Sequence, residues 1–257
     1  MINQNYLKLK RSFSLSFQLA KANFKVKNEG SYLGVLWYIL NPLLMFGLLL
    51  FLFSVSLGSD IPDYPLYLLV GIIILNFFQK TTIEATKIIQ NNSHIFKSIK
   101  IPLEVLVASN ILTFLFSHIF EIIILIVFLI IFNVSIYGII FYPLILLLLY
   151  FFVFGASLLL SALAVYFADF KNIWPFTSTL IWFGTPIFYN IEGQIWIFYA
   201  NLLNPMYYFV TVARDVIIYS KVPEPWLILG TIIYSILSLL IGFLIFNKLK
   251  NKFPEML

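Results

Sequence analysis

The chain has 257 residues, of which 61% are hydrophobic and 11% charged, with a formal net charge of +5 and no cysteine. A soluble domain carries about 25% charged residues, so a water-soluble globule is excluded. The missing cysteines exclude a disulfide framework and a thiolate metal site, and two histidines without an H-E-x-x-H pair speak against a zinc centre.

Residues 1–29 hold Lys8, Lys10, Arg11, Lys21, Lys25 and Lys27. Read at 100° per residue, Phe13, Phe17, Ala20 and Phe24 share one helix face and Leu15, Leu19, Ala22 and Val26 the opposite one. A helix lying in the membrane interface is predicted, with one face on lipid and the other on protein. More than 30 residues precede the first apolar run, too many for the h-region of a signal peptide. From Val35 to Leu57 there is no charge over 23 residues, enough for a helix to cross about 30 Å of hydrocarbon. Gly30 and Ser31 mark a bend at its entry.

Five further spans are predicted, at 65–89, 103–132, 138–166, 173–189 and 226–246. The second carries Lys80, Glu84 and Lys87 in its far half, so it is expected to run on past the hydrocarbon. Asn91–Lys100 is a polar, basic loop. The third span holds His118 and Glu121, three apart and so on one face. A carboxylate at the bilayer centre costs at least about 2.5–3.5 kcal/mol, so it faces protein, water or a partner, or is protonated. A proton relay and a hydrogen-bonded pair joining helices both satisfy that. In the fourth span Ser157, Ser161, Ala164 and Ala168 form a small-residue face suited to close helix approach.

Residues 190–225 are apolar and aromatic but broken by Asn201, Asn204 and Pro205. Each piece is too short to span, so two short re-entrant or interfacial helices are predicted, with protein or water around any broken structure at membrane depth. Six spans with a cytoplasmic N-terminus put fourteen of the sixteen basic residues inside, leaving only Arg214 and Lys221 outside. That is the arrangement Lys and Arg favour. The fold class is therefore all-α integral membrane: six transmembrane helices, an N-terminal interface helix and two short gate helices before the last span. Residues 1–257 form one transmembrane domain, and no nucleic-acid partner is expected.

Several motifs carry a family resemblance. Ser31-x-Leu33-Gly34-x-Leu36-Trp37-Tyr38 followed by Pro42 enters the first span, and Lys100-Ile101-Pro102-Leu103 opens the third. Thr185-Pro186-Ile187-Phe188-Tyr189 ends the fifth, and Asn204-Pro205 precedes Arg214. In order and spacing the chain resembles the membrane subunits of ABC-2-type polysaccharide exporters, most closely those of the O-antigen type. Thr185 departs from the Ser expected there. The resemblance implies a homodimeric channel in the bacterial plasma membrane, with both termini cytoplasmic and two copies of a separate ABC ATPase. Its cargo would be a lipid-linked polysaccharide. ATP and Mg would sit in the partner, because no Gly here is followed by Lys and a phosphate-cradling loop is absent. No cofactor and no catalytic residue are expected in this chain.

On that reading Ile95 and Phe96 are apolar anchors for the ATPase, with His94, Lys97 and Lys100 as a polar rim; alternatively Ile95 and Phe96 fold back onto the interface helix. Trp37, Tyr38, Trp182, Tyr189, Tyr207 and Tyr208 line a sugar path or belong to the interfacial aromatic belt. Asn204, Pro205, Arg214 and Asp215 are pieces of an outer gate, or Arg214 and Asp215 are a surface ion pair. Alternative cargoes are teichoic acid, capsule, and a small lipophilic drug or lipid. A membrane-embedded glycosyltransferase is the rival of another class. It needs acids gathered at one membrane face, but Asp60, Asp63, Glu192, Asp215 and Glu224 are scattered over two loops.

Overall fold

A computed structural model describes residues 2–54, 61–93, 101–191 and 193–256. Regular structure among them is helical throughout: α1 (Ile2–Asn28), α2 (Trp37–Phe53), α3 (Tyr64–Asn91), α4 (Leu103–Ile131), α5 (Tyr142–Tyr166), α6 (Phe170–Gly184), α7 (Ile195–Leu202), α8 (Pro205–Ile217), α9 (Pro225–Leu249) and α10 (Phe253–Met256). Short 3₁₀ turns lie at Gly34–Leu36, Ile136–Phe141 and Lys250–Lys252.

The bundle is built around α3, which packs against α2, α4, α5, α6 and α8. Its most apolar stretch is 72% buried, against 17% for the stretch that contains α2. An uninterrupted Leu66–Leu75 run explains this: it is apolar all round, so every face can meet another helix. Pro65 sits in the first turn, where its missing N–H costs nothing. At 1.5 Å per residue the 28 residues of α3 reach about 42 Å, further than about 30 Å of hydrocarbon.

Gly30 has φ +82° just past the end of α1, and the Asn28 side chain donates to the Phe24 carbonyl. Together they end the helix and turn the chain. Ser31 Oγ then accepts the Gly34 N–H at 3.1 Å, starting the 3₁₀ turn that leads into α2. This is the local role of Ser31 and Gly34 in the entry motif.

The face of α1 against the bundle lies between the two predicted apolar faces, taking Ala20 from one and Leu19 from the other. Ser16 and Ala20 are the buried residues, and Phe13 and Val26 remain exposed. The reason is closeness: Thr113 Oγ1 donates to the Ala20 carbonyl at 3.4 Å and Ser16 Oγ to the Val105 carbonyl at 3.4 Å. Only small side chains leave room for such contacts. In α5 the predicted small face is buried at Ser157, Ser161 and Ala164, whose carbonyl accepts from Gln90 of α3, while Ala168 lies past the helix end and is exposed. The closest crossing lies on the other side, where Gly155 and Gly242 bring the backbones of α5 and α9 together. There Ser235 and Ser238 donate to the Leu148 and Phe152 carbonyls at 2.9 and 2.7 Å.

Among the described residues five helical stretches are long and apolar enough to cross a membrane, beginning at Gly34, Tyr64, Leu103, Ile136 and Pro225. This is a multi-pass membrane protein. The span predicted at 173–189 is not among these five: α6 begins at Phe170 and stops at Gly184 after 15 residues, about 22 Å of helix. Thr185 leaves the helix with extended backbone (ψ 137°). Beyond it, the predicted broken segment forms α7 and α8.

Candidate functional site

Where α6 breaks, residues 186–189 run on from the buried Thr185 without helical hydrogen bonds of their own. Unpaired carbonyls are costly at membrane depth, so partners must come from elsewhere. They come chiefly from Arg214 of α8, whose residue is 3% exposed. Its Nη1 donates to the Pro186 carbonyl at 2.7 Å, Nη2 to Ile187 at 2.9 Å and Nε to Tyr67 at 3.0 Å. The guanidinium also lies 3.3 Å from the centre of the Tyr67 ring, a cation–π stack. Tyr64 and Tyr67 hydroxyls donate to the Phe188 and Tyr189 carbonyls at 3.0 and 2.9 Å. Asn204 Nδ2 donates to Thr185 Oγ1 at 2.8 Å, and Asn204 Oδ1 accepts from the Met206 N–H to cap α8.

Three glycines make this seating possible. A methyl on Gly71 would lie 2.9 Å from Arg214 Nη2 and 3.0 Å from Ile187. A methyl on Gly138 would overlap the Val216 carbonyl, and one on Gly230 the Tyr208 ring. Gly71, Gly138 and Gly230 thus come from α3, the 136–141 turn and α9, and all face α8. The Pro205 ring begins α8, where its missing N–H needs no partner.

The surface ion-pair reading of Arg214 and Asp215 does not hold. Ion pairs among the described residues join Lys25–Glu29, Lys80–Glu121, His118–Glu121 and Lys250–Glu104, and Arg214 is in none of them. Its charge is met by carbonyl dipoles. Asp215 is half-buried beside it, and its backbone carbonyl accepts from the Lys221 N–H.

His118 and Glu121 do meet, with Nδ1 and Oε2 2.8 Å apart, and the pair extends to two residues that sequence reasoning left out. His118 Nε2 lies 2.7 Å from the Tyr142 hydroxyl, and Lys80 Nζ 3.2 Å from Glu121 Oε1. This four-residue chain ties α3, α4 and α5 together and gives the buried carboxylate a cation. Nothing in the spacing of Lys80 or Tyr142 pointed to it, because the contacts are between helices.

The aromatic residues proposed for a sugar path fall into three separate groups. Trp37 is 42% exposed, and Tyr38 stacks on Phe24 and Phe120. Trp182 is buried against Phe183 and Phe188, next to Tyr189, whose hydroxyl donates to the Gly184 carbonyl. Tyr207 and Tyr208 are buried with Trp226, and the Tyr208 hydroxyl donates to the Leu202 carbonyl. Trp182, Tyr207 and Tyr208 are therefore core residues of the single chain. Trp37 keeps a free face. His94, Ile95, Phe96, Lys97 and Lys100 lie outside the described residues.

The profile of the ABC-2 type transporter family matches residues 15–218. Two proteins of Klebsiella pneumoniae described as O-antigen export system permease protein RfbA are each 28% identical to this chain, over 256 and 254 residues and 95% of both lengths. One of the same description from Myxococcus xanthus is 24% identical over 245 residues, 94% of both lengths. With the family profile running over most of its length, from within α1 to just past the end of α8, the chain belongs to the ABC-2 type transporter family.

Proposed function

We propose that this chain is the channel-forming membrane subunit of an ATP-driven exporter that moves lipid-linked O antigen across the bacterial plasma membrane. The observation that carries this reading is end-to-end similarity to O-antigen export permeases, over 94–95% of both lengths. Two copies form the channel and two separate ATPase subunits, holding ATP and Mg, drive it; this chain supplies no catalytic group. Sugar hydroxyls are costly to strip of water, so the cargo needs a walled path rather than a lipid one.

In this reading the N- and C-termini are cytoplasmic and α6 completes a sixth crossing. The helix covers about 22 Å, and the extended residues after Thr185 cover the remaining length, tolerated because Arg214, Tyr64 and Tyr67 satisfy their carbonyls. The pinned segment with α7 and α8 then lies at the outer end as the gate. Of the six aromatics expected along a sugar path, Trp37 at the start of α2 is the one that stays exposed and so free to meet a sugar. The ATPase docks at His94, Ile95, Phe96, Lys97 and Lys100.

Deletion of the chain from its host tests the function. Lipid-linked glycan should accumulate on the cytoplasmic side and return to the surface on complementation. Unchanged surface glycan refutes the reading. Orientation has its own test, since the chain lacks cysteine. A cysteine at Ser220 should react with an impermeant thiol reagent from outside, and one at Asn251 should not.

A further inference from the structure

Between α1, α3 and α4 lies a cavity of roughly 200 Å³ that none of the readings above uses. Asn23, Val26 and Lys27 of α1, Glu84 and Ile88 of α3 and Thr113 of α4 contribute to its wall. It has room for about six waters at about 30 Å³ each, or for one small polar group. Its charged members are not spent on the fold. Glu84 forms no ion pair or hydrogen bond with a described residue. Lys27 is likewise unpaired, its ammonium resting 4.1 Å from the centre of the Phe114 ring. Burial pushes the Lys27 ammonium below its ordinary range, and Glu84 acts in the opposite direction.

A cation and an anion that face one cavity without pairing suit a ligand carrying both signs. A purely anionic group would meet Lys27 but be repelled by Glu84. A quaternary ammonium would meet Glu84 without a hydrogen to donate. A primary ammonium joined to a phosphate meets both. Val26, exposed on α1, and Ile88 give the apolar wall along which an attached chain would leave.

We infer that the cavity between α1, α3 and α4 binds a phosphoethanolamine group, with the phosphate on Lys27 and the primary ammonium on Glu84, and that its source is a membrane phospholipid. The site does not depend on which cargo is carried.

Native mass spectrometry of the full chain with defined lipids tests it. Phosphatidylethanolamine should be retained about fivefold more than phosphatidylcholine, the difference one hydrogen bond of about 1 kcal/mol makes. Glu84→Gln should remove that preference while leaving phosphatidylglycerol retention unchanged or raised. Lys27→Gln should lower retention of both phosphatidylethanolamine and phosphatidylglycerol. Lys25→Gln, on the exposed side of α1 and paired with Glu29, should change neither. A parallel titration with glycerophosphoethanolamine separates the sources: weak competition supports a lipid, and binding of the soluble compound equal to the lipid's overturns the phospholipid assignment. Equal retention of the ethanolamine and choline lipids, or a Glu84→Gln protein that keeps its preference, overturns the site itself.

Discussion

Replacing Arg214 with Met removes its donors to the Pro186 and Ile187 carbonyls while roughly keeping side-chain volume. The Ile187 carbonyl then has no donor among the described residues, whereas Pro186 keeps a 3.2 Å bond from the Tyr67 hydroxyl. An unpaired buried carbonyl costs about 1–3 kcal/mol, and each lost charge-assisted bond about 1.5–3 kcal/mol. Releasing a buried cation returns part of that, since the guanidinium no longer has to be desolvated. A net loss of about 2–4 kcal/mol remains, which shifts docking of the segment by roughly 30- to 700-fold. The chain has no native cysteine, so the shift can be read directly. Ile187 is fully buried, and an Ile187→Cys thiol should react with a maleimide only when the segment undocks. Adding Arg214→Met should speed that reaction by the same factor. Arg214→Lys should fall between, because an ammonium cannot reproduce the planar fork. A rate within about threefold of the Arg214 background, well under 1 kcal/mol, would refute the pinning argument.

Other expectations follow from the same packing. Gly155→Val forces side-chain atoms into the α9 backbone at Ser238, so it should lower the melting temperature in detergent more than Gly47→Val, where a methyl meets nothing. Glu121→Ala leaves His118 and Lys80 without their carboxylate and should cost about 3–5 kcal/mol, measured by denaturant unfolding. The double variant Glu121→Ala with Lys80→Met should recover part of that loss, and no recovery would mean the Lys80 contact carries none of the stability. Ile95→Ala with Phe96→Ala should leave the chain in the membrane but reduce co-purification of the ATPase, or leave ATP hydrolysis running without export. Wild-type behaviour in both assays would move the coupling role to α1.

What could be read from the sequence followed from composition and period. Uncharged runs located the long helices to within a few residues, and Asn204-Pro205 marked the start of α8. Short apolar pieces around it indicated that residues 190–225 do not span. What could not be read depends on distances between helices. Arg214 beside Asp215 looks like a surface pair until α3 and the 186–187 carbonyls are seen around the guanidinium. Ser16 carries no apolar signal, yet with Ala20 it forms the closest contact of α1, because small size rather than hydrophobicity selects it there. Gly155 and Gly242 lie 87 positions apart in sequence and meet only in the fold. Tyr207 and Tyr208 resemble sugar-stacking residues by type, but their burial uses the rings for internal packing.

Reconstitution into sealed vesicles tests the central claim most directly. The full chain and its ATPase partner would be placed in vesicles loaded with lipid-linked O antigen on the ATPase-accessible leaflet, and glycan on the opposite leaflet would be measured with an impermeant lectin. The account predicts glycan transfer that requires ATP, both proteins and the lipid-linked form of the glycan. Equal transfer without the ATPase, or ATP hydrolysis stimulated by small lipophilic drugs and not by the lipid-linked glycan, would contradict it.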